Sequence, residues 1–292
     1  MQDFSVSLIS LDAAATPAKI AAESVALQKQ ERLLASLRNL DGLLVAFSGG
    51  ADSAYLAWAA HAALGERALA VTALSPSYSR HDREQAEAFV RATAVRHEFI
   101  DTHEFENPLY VANNADRCYY CKDELFDRME LLAKDRKFSA IAYGINADDT
   151  HDFRPGHRAA QEHLILAPLL DAALTKAEIR SLSRRAGLPT WDRPASACLS
   201  SRVPYGTSVT PGLLAQIEHA EAALHDLGFR QFRVRAHGNL ARVEIASDEL
   251  SRATESAIAQ TIAARLKETG FVYVTLDLEG YRQGSLNSLL KL

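Results

Sequence analysis

Apolar positions along the chain arrive in two rhythms. LLVAF (43–47), ALAVTAL (68–74) and FSAIAYG (138–144) are apolar runs without alternation, the pattern of strands covered on both faces in a parallel sheet. Between them, apolar residues fall on helical spacing. Such stretches run from Ala18 to about Leu40, from Ser53 to about Leu64, over 81–94 (Ala86, Phe89, Val90 and Thr93 on one face) and around 119–134. RHEFID (96–101) adds a shorter strand. Strands alternating with helices predict an α/β, doubly wound parallel-sheet domain.

Past GLPTWDRPASACLSSRVPYGT (187–207) the rhythm changes. Thr210–Leu227 has helical spacing with Pro211 in its first turn, where proline is tolerated. QFRVRAH (231–237) and LARVEIA (240–246) alternate across a short Gly238-Asn239 connection, a hairpin signal. Ser247-Asp248 are expected to cap one long helix to about Glu268, before a last strand, FVYVTLDL (271–278). The expected organisation is an irregular extension over 1–24, the α/β domain over 25–207, and a smaller α+β domain over 208–292.

Composition narrows the class. Of 292 residues, 48% are hydrophobic and 24% charged, ordinary for a soluble globular chain. No apolar run reaches bilayer length, and MQDFSVSLISLDAAATP lacks the basic start of a secretory signal. Three cysteines make a poor disulfide framework and point to a reducing cytoplasm. Net charge is −5, and no run of like charge exceeds two residues. A chain that grips nucleic acid through phosphates shows a basic face; none is evident, so neither nucleic acid nor membrane is an expected partner.

Candidate chemistry begins at SGGADS (48–53), directly after the first strand. A glycine-rich turn between a strand and a helix presents backbone N–H groups to an anion. Gly49 and Gly50 allow close approach, Ser48 and Ser53 add hydroxyls, and Asp52 suits Mg²⁺. A Ser/Asp turn that only starts a helix has the same composition; its place after a buried strand favours phosphate. Neither the lysine-bearing P-loop nor the dinucleotide fingerprint is present.

RCYYCK (117–122) carries Cys118 and Cys121, and Cys198 lies far downstream. By residue type alone the pair could be core packing, a redox couple or half of a zinc site. No further zinc ligands are evident among the ten histidines.

LLVAFSGGADS resembles the pyrophosphate loop of the PP-loop ATP pyrophosphatases. DRCYYCKDELF (116–126), DDTHDFRPGHRAAQEH (148–163) and LPTWDRPASACLSSRVPYG (188–206) resemble the LarE family of ATP-dependent sulfur transferases, over most of residues 30–250. The resemblance implies that ATP adenylates a carboxylate of pyridinium-3,5-biscarboxylic acid mononucleotide and that sulfur displaces AMP, in nickel-pincer nucleotide synthesis for lactate racemase. It implies ATP and Mg²⁺ at Ser48, Gly49, Gly50, Asp52 and Ser53, with TALS (72–75) and Gly144 bordering the nucleotide. Single-cysteine members sacrifice the sulfur at the position of Cys198. This chain adds Cys118 and Cys121 and resembles members whose three cysteines hold a [4Fe–4S] cluster, one iron being open to sulfide. The family also implies a homo-oligomer.

Arg202, Arg233 and Arg235 are candidates for substrate phosphate or carboxylates. Glu221 and Glu244 could bind metal, position substrate or pair with those arginines. Asp152 and Arg154 could close the site, and Trp191 is expected to pack at the domain junction. The rivals are a PP-loop tRNA-thiolating enzyme, an amide-forming ligase that needs no cysteine, and a nucleotide-binding regulator without chemistry.

Overall fold

The computed structural model describes residues 17–151, 155–194, 197–282 and 285. Its N-terminal part runs α1 (Pro17–Arg38), β1 (Leu43–Ala46), α2 (Ala51–Leu64), β2 (Ala68–Leu74), α3 (Arg80–Thr93), β3 (His97–Asp101), α4 (Pro108–Val111), α5 (Arg117–Arg136) and β4 (Ala140–Tyr143). Then follow α6 (Pro155–Glu162), α7 (Pro168–Asp171) and α8 (Lys176–Arg185). The four strands form one parallel sheet in the order β3-β2-β1-β4. β1 shows why its apolar run does not alternate. Leu43 and Val45 enter a core with Leu33, Leu37, Phe89, Ile179 and Leu182, while Leu44 and Ala46 enter another with Leu125, Phe126 and Met129. Each fully buried large side chain contributes about 1.5–3 kcal/mol.

The C-terminal part contains α9 (Pro211–Asp226), β5 (Phe232–His237), β6 (Leu240–Ile245), α10 (Leu250–Ala253), α11 (Ser256–Glu268) and β7 (Tyr273–Leu276). β5 pairs antiparallel with β6, and β6 parallel with β7. Their core also takes Leu199 and Val203, so the segment that follows Cys198 is anchored in this second core. No helix among the described residues is long and apolar enough to cross a membrane.

Three differences from expectation have local causes. Helix α1 runs Pro17–Arg38, as the helical spacing from Ala18 predicts, so the expected extension over 1–24 does not hold for residues 17–24. The single long helix after Ser247-Asp248 is two, α10 and α11. The Thr254 hydroxyl donates to the Ser251 carbonyl at 2.8 Å, a local bond that competes with helix continuation, and Glu255 then caps α11 in an extended conformation. Helix α8 is opened by a reciprocal Thr175–Glu178 capping box, a sequence signal not used above.

The strand order fixes where a ligand goes. Successive crossovers lead from β1 to β2 to β3, and β4 then returns to the other side of β1. The chain therefore diverges between β1 and β4, and the crevice beyond their carboxyl ends is the expected ligand position.

Candidate active site

Ser48–Ser53 turns from β1 into α2 at that crevice. Gly49 adopts φ +78°, and a Cβ on it would meet the Arg193 guanidinium at 3.2 Å. The Ser53 hydroxyl donates to the Gly50 carbonyl at 3.1 Å and accepts the Ser48 N–H at 3.2 Å, while Ser48 Oγ lies 3.1 Å away. No side chain caps α2, whose N-cap is Gly50; its first N–H groups stay open to an anion. Gly144, at the end of β4, closes the other wall. A Cβ there would lie 2.8 Å from Ser53 N and 2.9 Å from Ser53 Cα, so only glycine lets β4 approach the helix start.

Asp52 points into the same crevice. Its Oδ2 accepts from Asn146 Nδ2 at 3.2 Å, whereas its Oδ1 is buried without a hydrogen-bond partner. Burial first, and then Asp149, push its carboxyl up, against Lys176, Asn146 and Arg180. A buried orphan oxygen with a second carboxylate nearby fits a hard divalent cation such as Mg²⁺. Lys176 and Arg180 of α8 bring positive charge to a loop that has no lysine. Arg193 latches the loop from outside: it donates to the Gly49 carbonyl at 2.6 Å and to Asp82 Oδ1 at 2.7 Å. In TALS, Thr72 donates to the Phe47 carbonyl at 2.6 Å. Leu74 and Ser75 line an open cleft of about 580 Å³ with Tyr78, Arg80, Arg83 and Thr102.

Asn146, Asp149, Lys176, Arg180 and Arg193 were not singled out from sequence. Asp149 and Arg193 lie within segments quoted above for the family resemblance, and the capping box places the helix of Lys176 and Arg180.

At the sulfur end, Cys118 lies in the first turn of α5 and is exposed; Cys121, a turn later, and Cys198 are part-exposed, and all three are free thiols. Burial pushes the Cys121 thiol up, and the Cys198 sulfur and the Glu104 carboxylate add to it. Burial raises the Tyr110 phenol, and Cys198 and Cys121 both raise it further through their charge, so these groups lie near one another. Arg117, buried at the start of α5, donates to Asn113 Oδ1 at 2.5 Å, to the Ser200 carbonyl at 2.8 Å and to Cys118 Sγ at 3.8 Å. Tyr110 Oη and Ser200 Oγ are 2.7 Å apart. Among the described residues only Asp127, Glu130 and His163 bring three possible metal-ligand atoms within 4.8 Å of one another. The cysteines are therefore set wider than a single-ion site. Three free thiols are the ligand type that iron–sulfur clusters take, one short of the usual four.

Beneath Cys198 the chain turns through residues Leu199–Arg202, held by two buried arginines. Arg202 donates to Glu221 Oε1 and Oε2 at 3.0 and 2.9 Å, to the Cys198 carbonyl at 3.0 Å, to Ser201 Oγ at 3.1 Å and to the Ala197 carbonyl. Burial raises the Glu221 carboxyl, but the Arg202 fork outweighs it and holds it below the usual range. Arg235 donates to Glu244 Oε2 at 3.1 and 2.9 Å and to the Ser201 carbonyl at 2.7 Å. Glu244, fully buried, also accepts from Arg242 at 2.9 Å and Ser285 at 2.8 Å. Arg202, Arg235, Glu221 and Glu244 are thus engaged with one another and with the turn backbone. Arg233 donates to the Phe232 carbonyl at 2.7 Å and lies 5.1 Å from the Tyr281 ring centroid. Asp152 and Arg154 lie outside the described residues. Trp191 is 38% exposed, with the Arg184 guanidinium 5.1 Å from its ring.

The Ser48–Ser53 loop and the Cys198 turn are tied together. Leu199 N–H donates to the Ser77 carbonyl at 2.9 Å, and the next residue, Tyr78, donates its hydroxyl to the Ser48 carbonyl at 3.3 Å. Arg193 therefore grips the Gly49 loop, and Leu199, next to Cys198, is bonded to the residue before Tyr78.

No family model matches the chain. It is 41% identical over 262 residues to the uncharacterized protein slr1717 of Synechocystis, covering 90% of this chain and 98% of that protein. It is 31% identical over 175 residues to the uncharacterized Methanocaldococcus jannaschii protein MJ0830, covering 59% of this chain and 66% of that one. Over 264 residues it is 33% identical to the pyridinium-3,5-bisthiocarboxylic acid mononucleotide synthase of Lactiplantibacillus plantarum, covering 90% of this chain and 95% of the synthase. Similarity of that extent, end to end across both the phosphate loop and the Cys198 turn, shows that the chain belongs to the LarE family.

Proposed function

We propose that this protein is an ATP-dependent sulfurtransferase that converts a carboxylate of pyridinium-3,5-biscarboxylic acid mononucleotide into a thiocarboxylate, in assembly of the nickel-pincer nucleotide. The observation that carries this reading is the hydrogen-bonded link between the Ser48–Ser53 loop and the Cys198 turn through Ser77-Tyr78. A phosphate cradle coupled to a cysteine suits activation followed by sulfur transfer, and membership of the LarE family gives the substrate class.

In this reading the loop N–H groups, Ser48 and Ser53 hold the triphosphate, with Lys176 and Arg180 offsetting its charge. Asp52 and Asp149 would hold Mg²⁺, which neutralises the polyphosphate. A substrate carboxylate oxygen attacks the α-phosphorus, and pyrophosphate leaves. A sulfur nucleophile then attacks the acyl carbon; the bond to the AMP oxygen breaks, and AMP leaves with that electron pair. A thiolate is suited to this attack and a thiol is not. Cys118, Cys121 and Cys198 would hold a [4Fe–4S] cluster, whose chemistry is to deliver sulfide without consuming the chain. Without it, Cys198 would supply the sulfur itself. Arg202 and Arg235 act as positioning residues that hold the Cys198 backbone.

The test is anaerobic incubation with the mononucleotide, Mg-ATP and sulfide. AMP, pyrophosphate and thiocarboxylate are expected, with Cys198→Ala still releasing pyrophosphate but yielding no thiocarboxylate. Full product from Cys198→Ala, or AMP release that needs tRNA in place of the mononucleotide, would overturn the proposal.

A further inference from the structure

Three arginines are buried around the cysteine pocket, and two of them are closed by carboxylates: Arg202 by Glu221 and Arg235 by Glu244. Arg117 is not. It is 4% exposed, and its partners are an amide oxygen, a backbone carbonyl and the Cys118 sulfur. No carboxylate among the described residues makes an ion pair with it. Glu104, itself 3% exposed, gives one oxygen to Ser77 and leaves the other without a partner, on the Cys121 side of the pocket.

A buried guanidinium without a counter-ion is costly, several kcal/mol before compensation. Neutral hydrogen bonds recover only part of that. The groups near Arg117 that can carry negative charge are the Cys118 and Cys198 sulfurs, the Tyr110 and Tyr205 phenols, which burial keeps neutral, and whatever anion reaches them. The geometry has a second consequence. Arg117 starts α5, which carries Cys118, and its fork reaches 83 residues along the chain to Ser200, two residues past Cys198. The same side chain therefore sets the spacing of the two cysteine-bearing segments.

We propose that Arg117 is the positioning residue of the cysteine pocket: its carboxylate-free guanidinium joins the Cys198 turn to the Cys118 helix, supplies the positive charge that balances anionic sulfur there, and admits anions to Cys118 in preference to neutral molecules of the same size. This rests on the reading of the three cysteines as a sulfur-handling site, but its test needs no turnover.

Iodoacetate and iodoacetamide are nearly the same size and differ in charge. Alkylation rates at Cys118 are measured by peptide mass spectrometry on the full-length chain, freed of iron by chelation without oxygen. The readout is the iodoacetate/iodoacetamide rate ratio, divided by the same ratio in the urea-unfolded chain. The normalised ratio in the native chain should be well above one. Arg117→Gln should lower it about tenfold, and Arg117→Lys should keep it within about threefold. A purely structural role would change both reagents equally in Arg117→Gln and leave the ratio intact; that result overturns the proposal, as does a native ratio equal to one. Should Arg117→Gln fail to fold, the native chain and Arg117→Lys decide, since loss of the ratio with retained positive charge also overturns it. A normal ratio effect in a chain that makes no thiocarboxylate would leave this proposal standing and sink the proposed function alone.

Discussion

Buried charge is handled in opposite ways in two parts of the molecule. Under the Cys198 turn, the forks of Arg202 and Arg235 are closed by Glu221 and Glu244, and spare donors go to backbone carbonyls. In the crevice Asp52 keeps an oxygen with no hydrogen-bond partner, and beside the cysteines Arg117 donates only to neutral oxygens and sulfur. Closed pairs fix a shape and leave nothing for a ligand. Open charges cost stability and make sense where a counter-charge arrives from outside, the usual place for local rules to be broken. The difference separates the residues that build the platform from those proposed to meet phosphate, metal and sulfur.

Breaking a closed pair should have the largest effect. Glu244 has no exposed side-chain surface, and Glu244→Ala would strand Arg235, and in part Arg242, in the core. A loss of about 3–5 kcal/mol is expected from removing one member of a buried pair, read by urea denaturation. Magnesium-ATP should not restore it. A loss under about 1 kcal/mol, the value of an exposed pair, would erase the distinction between the two regions.

How far this contrast was legible in the sequence depends on sequence separation. LLVAF, ALAVTAL and FSAIAYG gave the parallel strands because both faces of each meet a core, and that requirement is written locally. SGGADS followed the first strand directly, so the loop proposed to cradle phosphate could be placed between β1 and α2 as well. The hairpin at Gly238-Asn239 was equally local. The pairing of Arg202 with Glu221 spans 19 residues and that of Arg117 with Ser200 spans 83; no periodicity connects such positions. Arg202 and Arg235 were therefore candidates for substrate anions, with pairing to Glu221 and Glu244 one alternative among several, while Arg117, which has no carboxylate partner among the described residues, went unnoticed beside the cysteines. Gly144 was assigned to the nucleotide border by resemblance; its need for glycine comes from contact with Ser53, which only the folded chain brings about.

Opening an already open charge should do the reverse of Glu244→Ala. Burial raises the Asp52 carboxyl above its ordinary value, so its ionised form costs the native state stability. That cost is absent below the unfolded-state pKa and appears as pH rises through the folded-state value. Asp52→Asn should therefore be at least as stable as the parent at neutral pH, with the difference vanishing in acid. Pyrophosphate release should fall about a hundredfold or more. Magnesium-ATP should raise the melting temperature of the parent and not that of the variant. A variant less stable than the parent at neutral pH would mean that Asp52 belongs with the closed pairs.

The smallest effect is expected where a pair is closed but faces water. His163 Nδ1 lies 2.8 Å from Glu130 Oε1 and Nε2 lies 3.1 Å from Asp123 Oδ1. Both ring nitrogens can donate only in the imidazolium form. Burial lowers its pKa, but the hydrogen bonds to Glu130 and then Asp123 outweigh it and leave it raised. The stabilisation is complete below the unfolded-state value and fades as pH rises through the folded one. Glu130 and Asp123 are 48% and 37% exposed, so screening keeps the contribution to a few tenths of a kcal/mol. His163→Gln should flatten the stability profile on the neutral side by that amount, measured by urea titration at several pH values. It should leave the alkylation ratio at Cys118 untouched, although His163 packs against the helix that carries that cysteine. A slope of opposite sign, or a loss approaching that of Glu244→Ala, would show that exposure does not set the worth of a closed pair in this protein.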